Sequence, residues 1–343
     1  MYDGGILLAQ LIKLQDYVSR YQVDLKRYPT QFIRLKQVQW ERMKDEWHTQ
    51  EEQPMEIETV EAEEKTKKPS FFKRLFHSRK TEIWSNPWEQ ENDKMNFSNG
   101  EEASDEIPEE TSTLNFNPTM LYRPDSEFEL KRMYVDQLFH FQLKWASSTL
   151  REKSYIDPKY QRDAWLRQVV QKLPDTYFVL YDPILKLKKA PIEVGVVILT
   201  PTDCYVIQKV EAEEMAAFTG DSKDRFWLKK FGEHEKKILN PLTSLYRMEK
   251  VVEQIMEEAN AKMKIHRVLL SQTGYIDYPG SIYDVSLIDR RNIEDWFTHL
   301  KGNASPMKHL QFKAAEALLT HSQTTSYNRS DWYKATNELE EQE

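Results

Sequence analysis

Val194 to Val210 reads VGVVILTPTDCYVIQKV, two apolar runs joined by the turn Thr200-Pro201-Thr202-Asp203. Runs of this length on either side of a Pro-containing turn predict a β-hairpin. Further strand-like runs lie at residues 177–181, 265–271 and 284–288. Helical patterns surround them. Ser126 and Glu129 form a capping box ahead of a stripe of Leu130, Tyr134, Leu138, Phe141 and Trp145. Asp157-Pro158 predicts the start of the next helix, which buries Trp165, Leu166, Val169, Val170 and Leu173. Another helix begins near Thr243, one covers residues 293–300 and one covers 307–319. The order helix, strand, hairpin, helix, strand, strand, helix predicts an α/β fold, a mixed central sheet flanked by helices.

Outside this region the sequence changes character. Leu7, Leu11, Leu14, Val18, Tyr21, Leu25, Tyr28, Phe32 and Leu35 alternate in steps of four and three, the a/d seam of a coiled coil. Residues 1–48 therefore read as an N-terminal amphipathic helical segment, kinked or split at Pro29. Trp40, Met43 and Trp47 continue at helical spacing. A stripe this long needs cover from its own chain, from a second copy or from a foreign protein partner.

Residues 49–118 read as a charged, disordered linker. Two acidic runs, Glu51 to Glu64 and Glu101 to Glu110, hold too few apolar residues to offset the entropy of ordering them. Between them lies a basic-aromatic island at 67–80, KKPSFFKRLFHSRK. Phe71, Phe72, Lys73, Arg74, Leu75 and Phe76 are its candidate partner-binding residues. They suit an anionic membrane surface or an acidic groove, or form no more than a solvated spacer. Residues 119–302 form the α/β domain with its helical lead-in, and 303–343 a C-terminal helix with a polar tail.

The net charge of −8 disfavours a surface wrapped wholly in nucleic acid, although a local basic face (Lys186, Lys188, Lys189, Lys229, Lys230, Lys236 and Lys237) is compatible with it. The single cysteine, Cys204, fits a reducing cytoplasmic setting and reads as structural. No apolar run is long enough to span a bilayer. The eight histidines make no zinc-binding spacing. Gly-rich phosphate loops and nucleophile elbows are missing. Gly274 and Gly280 mark a tyrosine-bearing loop at a strand end.

About residues 161–300 resemble the nuclease-related domain (NERD) family, whose fold is that of restriction endonucleases. Four features carry the resemblance: a helix ending in leucine, the run Pro174 to Pro183, the hairpin, and Trp227 ahead of Asn240-Pro241 and a helix. In the hairpin the family typically reads Ile-Asp-His, a β run, Gly-Pro, then Ile-Glu-x-Lys. This chain matches without a gap as Val194-Gly195-Val196, Thr200-Pro201 and Ile207-Gln208-Lys209-Val210.

The resemblance implies a Mg²⁺-dependent phosphodiesterase core. Two carboxylates would hold the cation, and a lysine on the same strand face would orient water. Here those positions are Gly195, Gln208 and Val210. Lys209 is adjacent to the lysine position, but strand alternation turns it to the other face. The family's helical glutamine falls on Ser244, and its first-helix glutamate near Asp163. Glu193, Asp182 and Asp163 are possible substitutes for a relocated site, and Glu211 and Glu213 follow on the face of Lys209. The expectation is a non-catalytic, bacterial-type nuclease-related protein that binds or scaffolds, with no resident cofactor. The alternatives are a divergent nuclease using Mg²⁺ and a nucleic-acid-binding module without cleavage.

Overall fold

The computed structural model describes residues 6–52, 116–187, 190–210, 213–280, 282–302 and 305–328. Among these residues fourteen strands follow in chain order: β1 (Gln10–Leu14), β2 (Glu152–Lys153), β3 (Phe178–Tyr181), β4 (Ile184–Leu187), β5 (Ala190–Glu193), β6 (Val196–Leu199), β7 (Asp203–Lys209), β8 (Ala217–Thr219), β9 (Phe226–Phe231), β10 (His234–Leu239), β11 (Lys264–Leu270), β12 (Tyr275–Asp277), β13 (Val285–Ile288) and β14 (Tyr327–Asn328). The main sheet has the order β1-β3-β6-β7-β11-β13. β1 and β3 pair in parallel, as do β7, β11 and β13, while β6 is antiparallel to both neighbours. Five strands thus point one way and β6 alone runs against them. This is the mixed, helix-flanked sheet that the hairpin and its surroundings predict.

The N-terminal segment corrects the sequence reading. Residues 10–14 do not continue a heptad helix; they form β1, an edge strand of the main sheet. All five residues of QLIKL are buried, and an apolar run of this kind fits a doubly covered parallel strand as well as a helix stripe. Tertiary pairing decides between them. The Gln10 N–H donates to Tyr177 O at 2.9 Å, and the Leu11 N–H donates to Gln142 Oε1 of the helix Glu127–Trp145 at 2.9 Å. The long helix begins only at Tyr28 and runs to Glu52. Pro29 therefore lies in its first turn, where the missing N–H costs nothing, and does not kink it.

The tryptophan stripe of that helix packs on the helix Glu127–Trp145. Trp40 meets Tyr134 at a centroid distance of 5.3 Å, Tyr134 Oη donates to Lys36 O, and Trp47 Nε1 donates to Pro124 O at 3.0 Å. The seam thus finds cover within its own chain. Helical order persists to Glu52, and Phe116 is buried at 7% exposure, so ordered structure reaches into both ends of the linker expected at 49–118. The island at 67–80 and its six candidate binding residues lie outside the described residues.

One further helix differs from its expected extent. Asp157-Pro158 starts only Pro158–Arg162. Asp163 then interrupts the chain, because its carboxylate accepts the Trp165 and Leu166 N–H groups at 2.9 and 3.0 Å and caps a second helix, Ala164–Lys172. β8, β9, β10 and β12 make a second, four-stranded sheet of order β10-β9-β8-β12. No helix among the described residues is long and apolar enough to cross a membrane.

The C-terminal helix His309–His321 is followed by a strap that crosses the N-terminal region. The Gln323 N–H donates to Ile184 O, the Thr325 N–H to Asp16 O, and β14 pairs with β2. Beneath the strap Lys13 is fully buried. Its Nζ donates to Tyr17 O at 2.6 Å, Gln22 Oε1 at 3.1 Å and Thr324 Oγ1 at 3.2 Å. All three acceptors are neutral. Burial brings its pKa down to about 7, partly opposed by Asp16. The unfolded chain therefore binds a proton between pH 7 and about 10.4 that the folded chain does not, and stability from this group rises across that window. Lys13→Met should remove that rise: between pH 7 and pH 10 the thermal midpoint of the native protein should climb relative to that of the variant.

Candidate functional site

The hairpin places its family positions side by side. Val196 faces Ile207 across β6 and β7, so Gly195 lies opposite Gln208. A Cβ on Gly195 would stand 2.5 Å from Ile207 O and 3.1 Å from Met248 Cε of the helix Pro241–Glu258. The first distance is to backbone and cannot be relieved by a rotamer change. Gln208 turns its amide back along its own strand, donating from Nε2 to Lys209 O at 2.8 Å. Val210 is buried at 8% exposure, with its N–H on Leu270 O at 2.8 Å. Ser244, at the family's glutamine position, is half-buried and reaches Met248 Sδ at 3.9 Å. This face is packed and carries no carboxylate at the three positions.

The opposite face holds the lysine of the hairpin. Tyr181 pairs with Val196 and hence stands level with Ile207, so Tyr181 and Lys209 share a face. Lys209 Nζ donates to Tyr181 Oη at 2.8 Å, and Tyr181 Oη donates to Asp163 Oδ2. Asp163 already caps its helix through Oδ1, so one carboxylate fixes both the helix start and the phenol. Lys209 Nζ also lies 4.8 Å from the Tyr181 ring centroid. Tyr160 packs edge-on against Tyr181 and donates from Oη to Gln15 Oε1 at 3.0 Å. Burial pushes both phenols well above the usual tyrosine range, with Asp163 adding at Tyr181 and Asp182 at Tyr160. Both stay protonated and available as donors.

Asp182 sits beside this chain of groups at the carboxyl end of β3, with φ 48°. Gln15, just beyond β1, has φ 44° and donates its N–H to Tyr181 O at 2.9 Å. Two neighbouring parallel strands thus leave the sheet at the same level through left-handed residues. Open α/β sheets place their ligand crevices at such carboxyl ends. Burial raises the Asp182 pKa; the Lys209 cation opposes this, while the charges of Asp163 and Glu193 add to it. Glu193 is exposed at the end of β5, opposite Ile184 of β4.

Of the three substitutes named from the sequence, Asp163 lies on the Lys209 side, Asp182 turns out of β3 beside it, and Glu193, on β5, reaches Asp182 only through its charge. Among the described residues no three Asp, Glu, His or Cys side chains converge closely enough to hold a metal ion. Glu213 is instead drawn to Lys229, 2.6 Å away, and Glu211 lies outside the described residues. Tyr181, Tyr160 and Gln15 escape the sequence reading. Alternation puts Lys209 on the far face, but only the β3 register shows what it meets there.

Residues 160–271 match the nuclease-related domain family. The match takes in Asp163, the whole hairpin and the helix Pro241–Glu258 that packs on it. A 50-residue stretch is 50% identical to an RNA 2',3'-cyclic phosphodiesterase of Geobacillus stearothermophilus, covering 14% of this chain and 16% of that protein. No solved structure matches the chain.

The start of the tyrosine loop near Gly274 is held at Ile276. Asp289 is 3% exposed, accepts the Ile276 N–H at 3.0 Å and pairs with Arg291, while Arg291 Nη2 donates to Ile276 O at 3.0 Å.

Two substitutions test this geometry. Gly195→Asp forces backbone apart at β6 and β7, and overpacking of this kind costs about 1–3 kcal/mol. The thermal midpoint should fall by several degrees, and an unchanged midpoint would show that the strands yield. Asp182 has a folded-state pKa raised above its unfolded value, so its stabilising contribution is present below about pH 3.9 and is lost as pH rises through the folded value. Asp182→Asn should therefore raise the melting temperature at pH 7, with the gain shrinking as the melts are repeated towards pH 4.

Proposed function

We propose that the nuclease-related domain of this chain acts by binding or scaffolding and does not cleave phosphodiesters. The observation that carries the reading is the contact at Gly195, where backbone occupies the space that a metal-binding side chain needs. A hard cation of the Mg²⁺ class wants several oxygens at about 2.0–2.1 Å. At the family positions the chain offers a residue without a side chain, a neutral amide bonded to its own strand, and a buried valine. What the region retains is the sheet, the covering helix and the polar group of Asp163, Tyr181 and Lys209 at the carboxyl end of β3.

A second reading has its own support. Asp163, Glu193 and Lys209 all act electrostatically on Asp182 at the carboxyl end of β3. In this reading Mg²⁺ would rest on these carboxylates, Lys209 would sit beside the phosphate, and the protein would be a divergent nuclease. Asp163 fits poorly as a ligand, because both of its oxygens already accept hydrogen bonds.

Purified full-length protein with Mg²⁺ or Mn²⁺ decides between them. Against single- and double-stranded DNA, RNA and nucleoside 2',3'-cyclic phosphates, no turnover is expected, and titration calorimetry should show no stoichiometric metal heat. Metal-dependent cleavage that disappears in Asp182→Ala or Glu193→Ala protein would establish the second reading instead.

A further inference from the structure

Among the described residues β10 is the outer strand of the second sheet, paired with β9 on one side only. Every residue from His234 to Lys237 is exposed, Ile238 is half-buried and Leu239 is exposed. Half of the backbone N–H and C=O groups of such a strand point away from its neighbour and are free to pair. The hairpin from Arg225 to Leu239 carries five basic residues (Arg225, Lys229, Lys230, Lys236 and Lys237) against two acidic ones (Glu233 and Glu235), within a chain of net charge −8. Lys229 pairs with Glu213 and Lys230 with Glu235, while Lys236 and Lys237 have no ion-pair partner among the described residues. Leu239 lies directly opposite Phe226, and the two are 70% and 46% exposed.

We propose that β10 accepts an extended acidic peptide from a partner protein as an added strand. An antiparallel strand would set two apolar residues beside Leu239 and Ile238, then two acidic residues beside Lys237 and Lys236. Main-chain hydrogen bonds supply affinity in strand addition, and the flanking side chains supply selection. Edge lysines commonly protect a sheet against self-pairing, and here Lys236 and Lys237 also favour an acidic partner strand. A second copy of β10 laid antiparallel, centred on the lysine pair, brings lysine against lysine, which is repulsive, whereas an acidic strand meets both with opposite charge. The Phe226–Leu239 pair adds an apolar anchor that a purely protective edge would not present.

The test uses full-length protein and a fluorescein-labelled peptide, Val-Ile-Glu-Glu-Thr-Val, read by fluorescence anisotropy. Saturable binding is expected, weakened at least tenfold in the Lys236→Glu, Lys237→Glu double variant, whose fold is checked by its melting curve. Two further peptides, N-methylated at odd or at even residues, probe the backbone without altering charge. Strand addition requires that one of them lose binding and the other keep it, because alternate N–H groups face the protein. Equal binding by both, or no binding of the parent peptide up to millimolar concentration, overturns the proposal. So does an oligothymidylate 20-mer that binds through Lys236 and Lys237 while the peptide does not. Neither the peptide readout nor its failure touches the cleavage assay, which reports on the other sheet.

Discussion

β6 and β7 lie so close at Gly195 that the carbonyl of Ile207 fills the place of a side chain. This contact fixes how closely the two strands of the hairpin approach, and the helix packed on them is seated against it. Met248 rests on the same spot from the helix Pro241–Glu258, which is fixed at its start by Asn240 Oδ1 accepting the Leu242 N–H and by Asn240 Nδ2 donating to Asp224 O. With that face packed against the helix, the hairpin's lysine is turned to the other one. There a single hydroxyl, that of Tyr181, joins a helix cap to the end of β7.

The parts of the fold legible in the sequence are those whose local signals agree with their tertiary surroundings. Ser126 caps the helix Glu127–Trp145 as its spacing announces, and Thr200 closes the hairpin turn by donating its N–H to Asp203 O. β1 is not legible, because an apolar run beside a 3-4 spacing satisfies both helix and strand, and the choice is made by Tyr177 and Gln142, more than a hundred residues away. β9 and β10 leave no trace for a different reason. Largely exposed, they lack the alternation that marks a half-buried strand.

The candidate site divides in the same way. Alternation alone sends Lys209 away from Gln208, and the structure agrees. Asp163, Asp182 and Glu193 are recognisable as acids near the hairpin, but their grouping depends on where β3 ends and how Asp182 turns out of it. Backbone direction at one left-handed residue is not written in composition or period.

The strap that crosses Lys13 has a consequence for the order in which the molecule can be made. During synthesis the oily stretch from Ile6 to Leu14 emerges more than 160 residues ahead of β3, its strand partner, and more than 300 ahead of Thr324, which closes over it. Contacts so distant along the chain form slowly, because a long loop must close before any of them is rewarded. Until the ribosome has delivered the sheet, that stretch is exposed on a nascent chain without the strand that later covers it. A holdase chaperone would find its binding site there, and the newborn protein would be most prone to aggregate through a strand that ends up fully enclosed.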